Sequence, residues 1–186
     1  MRTVFVIGSY CARFGRFAER SFQDLASEAY LSALADAGLP DGSAIEQAWF
    51  ANSGMGAWGQ GGIRGHVCFT PLVRQGLLPE RVPMVNVECG CATASQAFHG
   101  AWKDILSGEQ QMALPIGVEK LHSPDKPGCL GEIFNKPFKR RRIEVNFDGA
   151  MSPVMAAWCW FASSSVAWAC SMRWRMRSPI RAIRSV

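Results

Sequence analysis

Two cysteines one residue apart, Cys89 and Cys91, stand in the segment "NVECGCATASQAFHG" (residues 86–100). The thiolate is the nucleophilic form of cysteine, and a free thiol with a pKa near 8.5 is mostly protonated at neutral pH. A helix N-terminus aims unpaired N–H groups and the positive end of the helix dipole at a sulfur placed there, which favours the anion. The same N–H groups can hold a developing oxyanion during acyl transfer. The run "VPMVNV" before the pair, the glycine between them and the helix-forming stretch after them fit a strand, a tight bend and a helix. Cys91 falls on the bend and Cys89 on the strand end, so Cys91 is the candidate nucleophile. The small residues Ala92, Thr93, Ala94 and Ser95 leave room for a ligand beside it. Spacing alone keeps a second reading open, two buried and unreactive thiols, because free cysteine is among the most buried residue types. A Cys-x-Cys without a second pair or a well-spaced histidine lacks the logic of a zinc site, so no metal is expected.

A thiol nucleophile also needs a base. The chain has three histidines, His66, His99 and His122. On a continuous helix His99 lies about 12 Å beyond Cys91 at 1.5 Å per residue, too far to take its proton. His66 and His122 are expected on a helix surface and in a loop.

The elements that must carry this bend follow from local patterns. "TVFVIG" (3–8) reads as a buried strand ending at glycine, with "SYCARFGRFAER" after it as a loop. Ser21 followed three residues later by Asp24 has the form of a capping box. Phe22, Leu25, Ala29, Ala33, Leu34 and Ala37 then recur at helical spacing until Gly38 and Pro40 stop the helix. The small residues on that face suit close packing on a sheet. Residues 44–53 read as a strand, 54–62 as a glycine-rich loop and "IRGHVCFTPLVRQGL" as a helix interrupted near Pro71. A strand over 82–87, a helix over 92–107 closed by Gly108, and a strand over 111–119 weakened by Pro115 complete the pattern. Alternating strands and helices of these lengths imply βαβ crossovers, an α/β fold with a mostly parallel, covered sheet.

A chain of 186 residues suits one domain, or one domain and a tail. Seven cysteines without regular spacing do not form a disulfide framework, and the start has no signal-peptide pattern, so a cytoplasmic location is expected. The net charge of +5 is misleading as an average. Residues 1–138 hold 11 Lys and Arg against 13 Asp and Glu, and residues 139–186 hold 9 against 2. The basicity belongs to the tail, and neither aromatic-basic interleaving nor zinc spacing supports a nucleic-acid partner. The basic run "KRRR" (139–142) reads as a solvated or anion-facing patch. Residues 149–172 carry no charge and precede "RWRMR". That length and positive flank suit a membrane anchor. Five serines, Pro153 and few leucines count against it, leaving a buried segment or a change of reading frame as the other readings. The expected divisions are a domain over 1–125, a loop region over 126–148 and an atypical tail over 149–186.

Residues 1–125 resemble the N-terminal part of the thiolase family, the sterol-carrier and lipid-transfer types above all. The resemblance rests on "VFVIGSYCARFGRF", "LASEAYLSALADAGL", "IEQAWFANSG" and the continuous stretch from "GQGGIRG" through "NVECGCATASQAFHG" to "GVEKL", in collinear order. It implies an incomplete thiolase-like half and an acyltransferase in which Cys91 takes the acyl group from a coenzyme A thioester. It further implies coenzyme A thioester as substrate with no permanently bound cofactor, and a homodimer through the N-terminal half. None of the three histidines lies in the family's Gly-His-Pro motif. The alternative is a non-catalytic member that keeps the fold for binding or dimerisation.

Overall fold

Ser21 opens the first helix as expected. Its side chain accepts from the Asp24 N–H while the Asp24 carboxylate accepts from the Ser21 N–H, the reciprocal capping box. Helix α1 (Phe22–Asp36) ends at Ala37, and Gly38 turns the chain away at φ +69°. Its alanines let it lie close on the sheet. At Gly8 an added Cβ would stand 2.6 Å from the Ala33 carbonyl oxygen and 2.7 Å from the Ala37 Cβ.

The computed structural model describes residues 2–122 and 166–174. The strands are β1 (Val4–Cys11), β2 (Gln47–Ala51), β3 (Met84–Val87), β4 (Met112–Glu119) and β5 (Val166–Trp174). The other helices are α2 (Arg64–Arg74) and α3 (Thr93–Ser107). The sheet order is β1-β5-β4-β2-β3. Strand β2 pairs in parallel with β3 and β4, and β5 runs antiparallel to both β1 and β4. Four of the five strands therefore share one direction, the mostly parallel sheet that the alternation implied.

Alternate residues of β2 and β4 divide between two faces. Ala48, Phe50, Leu114, Ile116 and Val118 point into one core with Leu25, Tyr30, Phe69 and Leu72 of α1 and α2. Trp49 and Ala113 meet Ala101 and Ile105 of α3 on the other face. This division follows from right-handed crossovers. The chain moves one way across the sheet from β1 to β2 to β3, then reverses from β3 to β4, so α3 must cross on the face opposite α1 and α2.

Four expectations change. The first strand is not buried. It forms the sheet's edge, with Phe5 46% and Val6 54% exposed, and it continues to Cys11 because β5 pairs with it that far. The glycine-rich loop contains a 3-10 turn over Met55–Trp58. Helix α2 runs through Pro71 without interruption. Proline removes the N–H that would meet the carbonyl four residues back, and Gln23 Nε2 supplies the missing donor to that Val67 oxygen at 2.8 Å. Finally, residues 166–172 of the uncharged stretch lie in β5, a strand inside the sheet. Among the described residues no helix is long and apolar enough to cross a membrane. The loop region 126–148 with its basic run, and residues 149–165, lie outside the described residues. Pro115 stands within β4 opposite Trp49 of β2, and the pairing of β4 with β5 skips Leu114 and Pro115.

Candidate active site

In open α/β sheets ligands bind at the carboxyl ends of the strands, where neighbouring helices leave for opposite faces. Here that place lies between β2 and β3, because α2 follows β2 to one face and α3 follows β3 to the other. Cys91 is there. It stands, exposed, in a 3-10 turn over Gly90–Ala92 that joins β3 to α3. Gly90 makes the bend at φ +52°, a left-handed conformation that disfavours side chains. Helix α3 begins at once, and its N-cap residue Ala92 makes no side-chain cap hydrogen bond, so no side chain competes for the first-turn N–H groups. Cys89 is exposed too, one residue ahead of the bend.

Thr93 is 3% exposed and ties the turn from within. Its hydroxyl accepts from the Cys89 N–H at 2.8 Å and donates to the Gly90 carbonyl at 2.7 Å. The Ser53 hydroxyl, just past the end of β2, lies 2.7 Å from the Thr93 hydroxyl. Each hydroxyl has one proton to give. With the Thr93 proton committed to Gly90, the arrangement that satisfies all three contacts has Ser53 donating to Thr93. The Ser53 oxygen also stands 3.1 Å from the Gly90 carbonyl and 3.3 Å from Glu88 Oε1. Glu88 in turn accepts from the Gly90 N–H at 2.7 Å.

Glu119, at the end of β4, fixes Ser53 from the other side. Its carboxylate accepts from the Ser53 N–H and, at 3.0 Å, from the Gly54 N–H. Burial pushes its pKa up to about 7, against the two backbone donors and the Arg64 charge that favour ionisation. Asn52 is fully buried and joins the same strand ends. Its Nδ2 donates to the Val118 carbonyl at 2.6 Å and its Oδ1 accepts from the Met55 N–H at 2.9 Å. Lys120 donates to the Ala18 and Arg20 carbonyls and lies over the Trp58 ring, which seats the end of the "FGRF" loop beside β4.

The structure brings Cys91 to the strand-bend-helix position that its sequence suggested, and among the described residues no histidine hydrogen-bonds to it. His66 is exposed on α2 and held by Asn86. His99 is exposed on α3 and stacks on Trp102. His122 follows β4. Among Cys11, Cys68, Cys89 and Cys91, Cys68 is the buried thiol, and burial pushes its pKa up to about 12. Cys11 is exposed at the end of β1, Cys170 falls in β5, and Cys129 and Cys159 lie outside the described residues. One expectation is corrected: Thr93 does not leave room beside the cysteine but is the buried tie of its turn. Its signal was a hydroxyl four residues after Cys89, at the first position of a helix. Ser53 and Glu119, 66 residues apart, gave none, because their meeting depends on β2 and β4 being neighbours.

A family model described as "Thiolase, N-terminal domain" matches residues 4–136. The acetyl-CoA acetyltransferase of Methanocaldococcus jannaschii is 35% identical over 122 residues, which are 65% of this chain and 29% of that one. Sterol carrier protein 2 of Gallus gallus is 31% identical over 154 residues, 81% of this chain and 26% of that one. Among solved structures, the acetyl-CoA acetyltransferase of Syntrophomonas wolfei superposes with a TM-score of 0.56 at 25% identity, covering 64% of this chain and 30% of that one. The Acat5 thiolase of Ascaris suum, solved in complex with coenzyme A, shares the fold with a TM-score of 0.55 at 19% identity, covering 80% and 35%. The chain thus spans between a quarter and about a third of the length of these proteins.

Proposed function

The chain belongs to the thiolase family, and from that premise we propose that it accepts an acyl group from a coenzyme A thioester onto Cys91. The observation that carries the reading is an exposed thiol on the bend between β3 and the N-terminus of α3, at the sheet's switch point. The Cys91 sulfur, deprotonated, attacks the thioester carbonyl carbon. The tetrahedral intermediate then collapses with cleavage of the bond to the coenzyme A sulfur. The cysteine proton ends on that departing sulfur, so the products are an acylated Cys91 and free coenzyme A. One thioester replaces another, so the exchange is close to thermoneutral, and the protein's task is orientation and stabilisation of the oxyanion. The Thr93 N–H is given to the Gly90 carbonyl, so the later first-turn N–H groups of α3 are the donors at hand for that oxyanion. This half-reaction is the one these residues support.

Incubation with acetyl-CoA followed by intact-protein mass spectrometry tests the reading. One added acetyl group is expected on the native chain and none on Cys91→Ala. A native chain that stays unmodified at saturating acetyl-CoA overturns it. The likeness to thiolases also supports a homodimer through this half, and β3 is an edge strand of the sheet among the described residues. Light scattering should then report twice the 20.4 kDa of one chain; the mass of a single chain at micromolar concentration counts against it.

A further inference from the structure

We infer that Ser53 is a positioning residue for the acyl-accepting turn: Glu119 holds its backbone at the end of β2, and its hydroxyl sets the orientation of Cys91 through Thr93. The inference rests on the reading of Cys91 as acyl acceptor. Cys91 has no side-chain neighbour that fixes it directly among the hydrogen bonds of the described residues; what is fixed is the backbone on either side of it. Thr93 holds the Cys89 N–H and the Gly90 carbonyl, the two backbone groups that define the bend. By itself Thr93 closes only a local loop on α3 and β3. Ser53 connects that loop to a second strand by donating to the Thr93 hydroxyl at 2.7 Å. Its own backbone cannot drift, because the Glu119 carboxylate accepts the N–H groups of Ser53 and Gly54 together. An added Cβ at Gly54 would stand 2.8 Å from Glu119 Oε2, so that carboxylate is packed flat on the backbone it holds. Three strand ends, those of β2, β3 and β4, are thereby coupled to one bend. Hydroxyls in such a chain polarise one another, and Thr93 is saturated, with one donation and two acceptances.

Cys11 supplies an internal control. It is an exposed thiol at the end of β1 with no bond to the turn, so general loosening of the protein raises the reactivity of both Cys11 and Cys91, whereas loss of the tie alters their ratio. The experiment compares the native chain with Ser53→Ala and Ser53→Thr, reading single-turnover acylation by acetyl-CoA and the ratio of Cys91 to Cys11 alkylation by iodoacetamide. In S53A acylation should slow at least about tenfold, equivalent to 1.4 kcal/mol of barrier, and the alkylation ratio should fall about threefold or more. S53T, which keeps the hydroxyl, should restore both. If S53A fails to fold by circular dichroism, Thr93→Val breaks the same chain from its other end and must give the same fall in ratio. An unchanged ratio in a folded variant, or a loss that S53T does not restore, overturns the inference. A native chain that acquires no acetyl group sinks the acyl-acceptor reading instead, and the alkylation ratio still decides whether Ser53 sets the turn.

Discussion

Replacing Gly100 with alanine separates helix propensity from packing on the helix that carries the site. Gly100 lies in the middle of α3 against the Trp49 indole of β2, where an added Cβ would stand 2.6 to 2.7 Å from three ring atoms. Carbon atoms in contact sit near 3.5–4.0 Å, so ring or helix must retreat by about 1 Å. The ring is not free to do so, because its Nε1 donates to Asp104 Oδ2 at 2.6 Å, one turn along the same helix. Propensity alone would make Gly100→Ala stabilising by about 1 kcal/mol. Against that stand about 1–3 kcal/mol of overpacking and about 1.5–3 kcal/mol if the bond to the Asp104 carboxylate breaks. The net expectation is a loss of about 2 kcal/mol, read by urea denaturation with far-ultraviolet circular dichroism. A double-mutant cycle with Trp49→Leu, which empties the space the methyl needs, should return most of that loss. A G100A chain as stable as the native one, or more so, would mean that α3 does not lie on Trp49 at this distance and would refute the reasoning.

Two further perturbations address α2 and the strand ends. Gln23→Ala leaves the Val67 carbonyl without the donor that Pro71 cannot supply. It should cost about 1–2 kcal/mol in urea denaturation, and much less in a P71A background, where a backbone N–H takes that oxygen; equal costs in both backgrounds would count against the substitution of one donor for the other. Glu119 has its pKa raised by burial from 4.5 to about 7. Between those values the folded chain holds a proton that the unfolded chain has released, so its contribution is complete below about pH 4.5 and lost as pH rises through 7. The decline should total about 3 kcal/mol at most and should flatten in Glu119→Gln. Stability curves of the same slope for both chains would show that Glu119 does not titrate in that window.

The legible parts of the fold were those whose cause is local. Ser21 and Asp24 announce the start of α1 because both partners of the capping box lie within four residues. Gly108 closes α3 at φ +91° for the same reason. Cys91 was legible because a strand, a glycine and a helix in direct succession define a bend without reference to the rest of the chain. Pro71 misled because its effect depends on Gln23, which is distant in sequence and adjacent in space. The opening strand misled in the same way. "TVFVIG" is apolar enough for a sheet interior, but the chain places it at an edge, and only the order β1-β5-β4-β2-β3 reveals that. The pair of Ser53 and Glu119 was invisible until β2 and β4 were known to be neighbours.

That same order explains why the cysteine stands where it does. The chain reverses its direction of travel across the sheet once, after β3, so the loops leaving β2 and β3 must part to opposite faces and open a crevice between them. A nucleophile on the β3–α3 bend therefore meets a substrate from outside while its backbone is reached from below by residues at the ends of β2 and β4. The link from β2 to the turn is made by two neutral hydroxyls, Ser53 and Thr93, which hold geometry without adding charge. The carboxylate bonded to the turn itself is that of Glu88, on the Gly90 N–H. Glu119 stands one step further back, on the backbone N–H groups of Ser53 and Gly54, and reaches the turn only through the hydroxyl link.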